Sequence, residues 1–186
     1  MSPDPDAIAE TLAAADSDGT NRLIDDLSDL DATAQFRLYD DLFDACRPVF
    51  ENAADGYVRQ SVVRTLREAY PGVERHPGGS DALDVEEASR DAIADQRERY
   101  VSFLLDALDD PDGRVRISAA DAFDLLAVGL GMADLGGEKD RIAERLETLA
   151  ASQPEERRKH TEQARESLER LGVPGLLSGA LPDDRS

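Results

Sequence analysis

The chain has no tryptophan, one cysteine and, among its 21 cationic residues, only two lysines, Lys139 and Lys159. Aromatic residues are 5% of the whole. Each scarcity excludes something. A lone Cys46 cannot close an intramolecular disulfide, which fits a reducing, cytoplasmic setting. So few aromatic side chains argue against a large flat β-core. No apolar run approaches the roughly 18 residues of a membrane span, and the acidic opening MSPDPDAIAE lacks the basic and apolar regions of a secretion signal. Gly-rich phosphate loops, nucleophile elbows and Ser/His/Asp groupings are also missing.

What is abundant is negative charge. Forty-one Asp and Glu face 21 Lys and Arg, a formal net charge of −20 over 186 residues. Arginine is the surviving cation. This balance resembles the proteins of salt-in halophilic microbes. A net charge far from zero keeps a protein soluble at the cost of self-repulsion. At molar salt the Debye length falls to about 3 Å, which screens that repulsion. The acidity therefore reads first as adaptation to solvent, and second as a surface for a basic partner. It disfavours nucleic acid and anionic membrane surfaces, because no basic footprint exists.

Alanine and leucine dominate the apolar fraction, and both favour helix. Helical periodicity recurs from segment to segment, whereas strand-like alternation does not. A first helix is expected from about Asp6 to Ala15, a turn at Asp16–Gly19, and a short helix carrying Leu23, Ile24, Leu27 and Leu30. Phe36, Tyr39, Phe43, Cys46 and Phe50 define a long helix that Pro48 should kink or split. Asp55 reads as the N-cap of the next helix. Periodicity stops from Pro71 to Asp84, where Asp84 and Glu87 form a plausible capping pair for a helix through Leu108. Further breaks are expected at Asp109–Gly113 and at Gly129–Gly137, and the tail from Gly172 mixes Pro, Gly and Leu.

Two segments superpose. DGYVRQSVVRTL from Asp55 and DGRVRISAADAF from Asp112 share D-G-x-V-R-x-S at an offset of 57 residues. Asp55 and Arg59, like Asp112 and Arg116, stand four apart, a spacing that allows pairing on one helix side. The pattern resembles the second helix of a HEAT repeat, with its D-x-x-V-R followed by Ala pairs and Leu. The resemblance implies antiparallel helix pairs stacked into a right-handed superhelix, with a protein-binding inner face. Some relatives of that kind are accessory lyases for bilin chromophores. The expected fold is all-α, a short irregular α-solenoid in one domain, 1–186. Residues 1–31 form N-terminal helices, 32–70 a first repeat and 84–130 a second. Residues 138–171 form a degenerate capping repeat, in which His160-Thr161 replaces Val-Arg, and 172–186 a tail.

A helical wheel centred on Val62 turns Tyr57, Gln60, Arg64 and Arg67 away from the core. The matching residues of the second copy are Arg114, Ile117, Asp121 and Asp124. Ile117 is apolar where a solvated face should be polar, so it contacts either a partner or the chain's own tail or neighbouring repeat. The expected function is a non-catalytic protein–protein interaction module with no cofactor. The alternative is a lyase-like enzyme using the 71–84 loop with His76 as acid or base. Homo-oligomerisation through the 32–53 helix is a third option. Neither His76 nor His160 has partners at metal-ligand spacing, and each reads as an exposed bystander. Cys46 lies on an apolar stripe and reads as an inert thiol. Acidic clusters at Asp25–Asp29, Asp40–Asp44 and Asp109–Asp112 are expected by composition alone. If the acidity is an adaptation to solvent, the circular dichroism melt should rise between dilute buffer and molar KCl. An identical melt in both would remove that reading.

Overall fold

A computed structural model describes residues 3–73 and 88–170. They form α1 (Pro5–Ala13), α2 (Ser17–Ser28), α3 (Ala32–Asn52), α4 (Gly56–Ala69), α5 (Arg90–Leu108), α6 (Gly113–Met132), α7 (Gly136–Ser152) and α8 (Glu155–Arg170), with no strand among the described residues. Side-chain caps start most of them. Asp4, Asp16, Asp31, Asp55, Ser89 and Asp112 each accept a backbone N–H of the first turn. In a chain so rich in Asp, caps come readily, and a carboxylate there also faces the positive end of the helix dipole.

Several expectations about boundaries are corrected. Ser17–Gly19 is the first turn of α2, capped by Asp16, and not a free turn. Pro48 does not split α3, which runs unbroken to Asn52. Pro48 is exposed and four residues from the end of α3, and the Asp44 carbonyl that loses its N–H partner belongs to an exposed residue and can turn to water. Ser89, in extended conformation, caps α5, so that helix does not begin at Asp84. Asp84, Glu87 and His76 lie outside the described residues. Gly129 and Gly131 do not break α6, which continues to Met132. Gly129 is buried and lines a small cleft beside Tyr70 and Tyr100.

One contiguous apolar core draws on all eight helices. At its centre Tyr70 and Tyr100 stack at 4.4 Å between centroids, and Tyr39 meets both edge-on at 5.5 and 6.2 Å. The large side chains of α3, Phe36 through Phe50, are consumed within the chain. None of the exposed large apolar side chains among the described residues lies on α3. α3 packs on α4, α5 on α6 and α7 on α8, while α4 packs on both α2 and α6, and α6 on α8.

α4 and α6 run in the same direction. Gly56 abuts Asp112, Gln60 donates to Ser118 Oγ at 3.3 Å, and Arg67 shares a cleft with Leu125 and Leu126. These contacts track the 57-residue offset of the sequence repeat. The two motif arginines do the same work. Arg59 Nη1 donates to the carbonyls of Ala53 and Ala54 at 2.7 and 3.1 Å. Arg116 Nη1 donates to those of Asp110 and Pro111, each at 2.8 Å. Neither pairs with the capping Asp four residues back. Asp55 and Asp112 spend their side chains on helix caps, and Arg59 reaches Asp110 instead.

The two motif glycines differ. A Cβ on Gly56 would stand 1.9 Å from Asp112 Oδ2, whereas one on Gly113 would meet nothing closer than Arg116 Nη2 at 3.5 Å. Gly56→Ala should therefore cost about 1–3 kcal/mol by overpacking. Gly113→Ala should be neutral or gain a few tenths of a kcal/mol from helix propensity. Urea denaturation midpoints of the two variants check this, and equal effects would contradict it.

Candidate interaction face

α6 sits between α4 and α8, and one of its sides is left open. Along that side Ile117, Leu125, Val128 and Met132 are 49%, 43%, 39% and 62% exposed. These four are the exposed large apolar side chains among the described residues. Their spacing of eight, three and four, with Asp121 filling the gap, puts them on one helical stripe. Arg114 heads the stripe. It is exposed but already engaged, with Asp112 in two hydrogen bonds of 2.7 and 3.1 Å. That pairing lowers the Asp112 carboxyl to about 2.

The sequence-chosen residues divide between this face and internal joints. Arg114, Ile117 and Asp121 are exposed on α6. Asp124 is half-buried and accepts the Ser167 hydroxyl of α8. On α4, Tyr57, Gln60, Arg64 and Arg67 are all half-buried. Gln60 is spent on Ser118, Arg64 Nη2 donates to Asn21 Oδ1 at 3.4 Å, and Arg67 pairs with Glu68 at 2.9 Å. Gln60, Arg64 and Asp124 therefore join helices, and the open surface narrows to α6. Leu125 and Val128 escaped the sequence reading because the face was matched to α4 and stopped at Asp124, and Met132 because a break was expected at Gly129. Continuing the Ile117 wheel by steps of three and four would have reached them.

The acidic clusters mostly serve joints as well. Asp40 and Asp44 both hold Arg99. Asp110 holds Arg59 at 2.7 Å, and Asp109 receives Gln153 and Arg157. Among the described residues no group of three or more His, Cys, Asp or Glu is placed to hold a metal ion. Burial pushes the Cys46 thiol up to about 12, as an inert thiol requires. A shallow open groove between α5 and α7 is lined by Asp106, Asp109, Arg141, Glu144 and Arg145, among others. Arg145 is tied there to Glu98 and Ser102.

His160 is not the exposed bystander that its polar helix implied. It is buried where α8 meets α6, and Arg116 Nε points at its Nδ1 from 3.4 Å. Burial first, then the Arg116 and Lys159 charges, hold its pKa below the ordinary 6.5. The unfolded chain binds this proton more readily than the folded one. Stability is therefore lost as pH falls through 6.5 toward the folded value, and retained above 6.5. His160→Gln should melt with a shallower decline from pH 7 to 5 than the parent does. The two proteins differ in this side chain alone, so parallel curves would sink this assignment.

Compared with models of known protein families, with curated proteins and with solved structures, the chain matches none.

Proposed function

We propose that this protein is a non-catalytic interaction module, a short α-solenoid of HEAT-like helix pairs, whose partner-binding surface is the open side of α6. The observation that carries the reading is the stripe of Ile117, Leu125, Val128 and Met132. Exposed apolar side chains scattered singly need no explanation, but four aligned on one helix form a patch of the kind that marks a contact surface. The solenoid reading draws support from the shared direction and repeat-length register of α4 and α6, and from α8 on the far side of α6. Within it, α4, α6 and α8 form one layer. The partner is another protein that presents apolar side chains to a surface one helix wide. The acid-rich remainder of the molecule belongs to life in a salt-rich cytoplasm. It keeps a protein with an apolar stripe from associating with its own copies.

The test is capture from an extract of the native host at molar salt, with the parent protein and folded variants. Ile117→Asp and Leu125→Asp should each reduce capture about tenfold or more, the equivalent of 1.4 kcal/mol. Arg64→Glu, half-buried beside α2, should act weakly. An unchanged set of captured proteins in all three variants would remove the face.

A further inference from the structure

The apolar stripe on α6 is interrupted by one charge. Asp121 stands four residues after Ile117 and four before Leu125, in the middle of the stripe, and it is exposed. Its helix neighbours three and four residues away are Ile117, Ser118, Asp124 and Leu125, none of them cationic. Among the described residues its carboxylate makes no hydrogen bond or ion pair. The nearby carboxylates are spent, Asp112 on Arg114 and Asp124 on the Ser167 hydroxyl. The nearby guanidiniums are spent as well. Arg114 holds Asp112, Arg116 closes the turn before α6, and Arg64, at the matching place on α4, donates to Asn21 of α2. The far end of the stripe is anionic too. The last turn of α6, where the dipole is negative, has no basic residue. The exposed Asp134 follows Met132 by two residues.

Covering this stripe removes Asp121 from water, and a carboxylate is costly to bury unless a cation or a donor meets it. Resting on the reading of α6 as the contact surface, we infer that the partner presents a basic amphipathic helix, which lays apolar side chains on Ile117, Leu125, Val128 and Met132 and sets one Arg or Lys against Asp121. A surface one helix wide suits a single helix, recognised through anchors spaced three and four apart. The lone charge within the seam fixes the register of the two helices, as a polar residue does in a coiled coil. It also turns away apolar helices with no cation at that place. A second copy of this chain offers no such cation, because Arg114 is the one cation on its stripe and Asp112 engages it. At molar salt, charges more than about 3 Å apart are screened. The −20 of the whole chain then attracts little, and direct contact with Asp121 decides.

The probes are two labelled synthetic peptides of about 20 residues, long enough to form a helix spanning the stripe. Both carry leucines at spacings of three and four, with Gln and Ala elsewhere. One has Arg in the middle of the leucine stripe, and its twin has Glu there. Fluorescence anisotropy with the full chain in molar KCl should show the Arg peptide binding about tenfold or more tighter than the Glu twin. Asp121→Lys should reverse that order and Asp121→Asn should erase it, both with melts like the parent's because the position is exposed. Equal binding of the twins to the parent overturns the cation, and so does an Arg preference that survives in Asp121→Lys. No binding of either peptide overturns the helix. If in those cases capture from the host extract still falls with Ile117→Asp, the face stands and its partner is of another kind. If Ile117→Asp changes neither peptide binding nor capture, the face itself is removed. Self-association of the parent in sedimentation, lost in Ile117→Asp and indifferent to Asp121→Lys, would give the stripe to a second copy.

Discussion

The joint between α4 and α6 turns on one guanidinium. Arg59 closes the turn before its own helix through the carbonyls of Ala53 and Ala54, and with its other nitrogens grips both oxygens of Asp110 in the turn before α6. Asp110 in turn accepts the Asp112 N–H at 2.7 Å, which sets the cap of α6. One planar fork thus fixes two turns and two helix starts. A lysine could supply the charge but not the geometry. The pair is largely buried, at 13% and 5% side-chain exposure, so salt screens it far less than the surface pairs. Removing one partner would strand a charge in that setting, a loss of about 3–5 kcal/mol in comparable sites. Arg116 repeats the scheme one turn later in the fold, with His160 in place of the carboxylate.

Around this joint the other arginines stitch neighbouring helices. Arg47 reaches from α3 to Asp106 of α5, Arg99 from α5 to Asp40, Arg145 from α7 to Glu98, and Arg157 from α8 to Asp109. Most are partly exposed, and such pairs contribute about 0–1 kcal/mol each. They choose neighbours more than they hold them. The holding falls to the apolar core, in which the three tyrosines and Phe103 sit at the centre. The hydroxyl of Tyr39 is buried there without a hydrogen-bond partner, so that ring is present for its shape and area.

The same arrangement explains why one side of α6 stays exposed. α6 is flanked by α4 and α8 and backed by α5, so three of its sides are covered. Its small residues, Ala119, Ala120, Ala122 and Ala127, face those neighbours and let them approach closely. Val115, Phe123, Leu126 and Leu130 are buried among them, and Ile117, Leu125, Val128 and Met132 are left on the fourth side. A helix with apolar residues all round belongs inside a protein. α6 has apolar residues on every side, and one of those sides is uncovered.

How much of this was legible in the residues depends on distance along the chain. Helix content, most of the core positions, the caps at Asp55 and Asp112 and the burial of Cys46 all follow from local rules, because a cap or a 3.6-residue period involves neighbours within a few positions. The motif shared by Asp55 and Asp112 also displayed the length of the repeat. What Arg59 does could not be read this way: its acceptor Asp110 is 51 residues away, and the four-residue spacing pointed to Asp55 instead. His160 seemed solvated because its helix is polar, and only the approach of α6 buries it. Gly129 looked like a break, yet packing beside Tyr70 and Tyr100 outweighs the modest helix penalty of a glycine. The open stripe belongs to the same class. Periodicity alone determined that Ile117 and its successors share a side of α6, and only the tertiary structure, by covering the other three sides, decided that this side meets water.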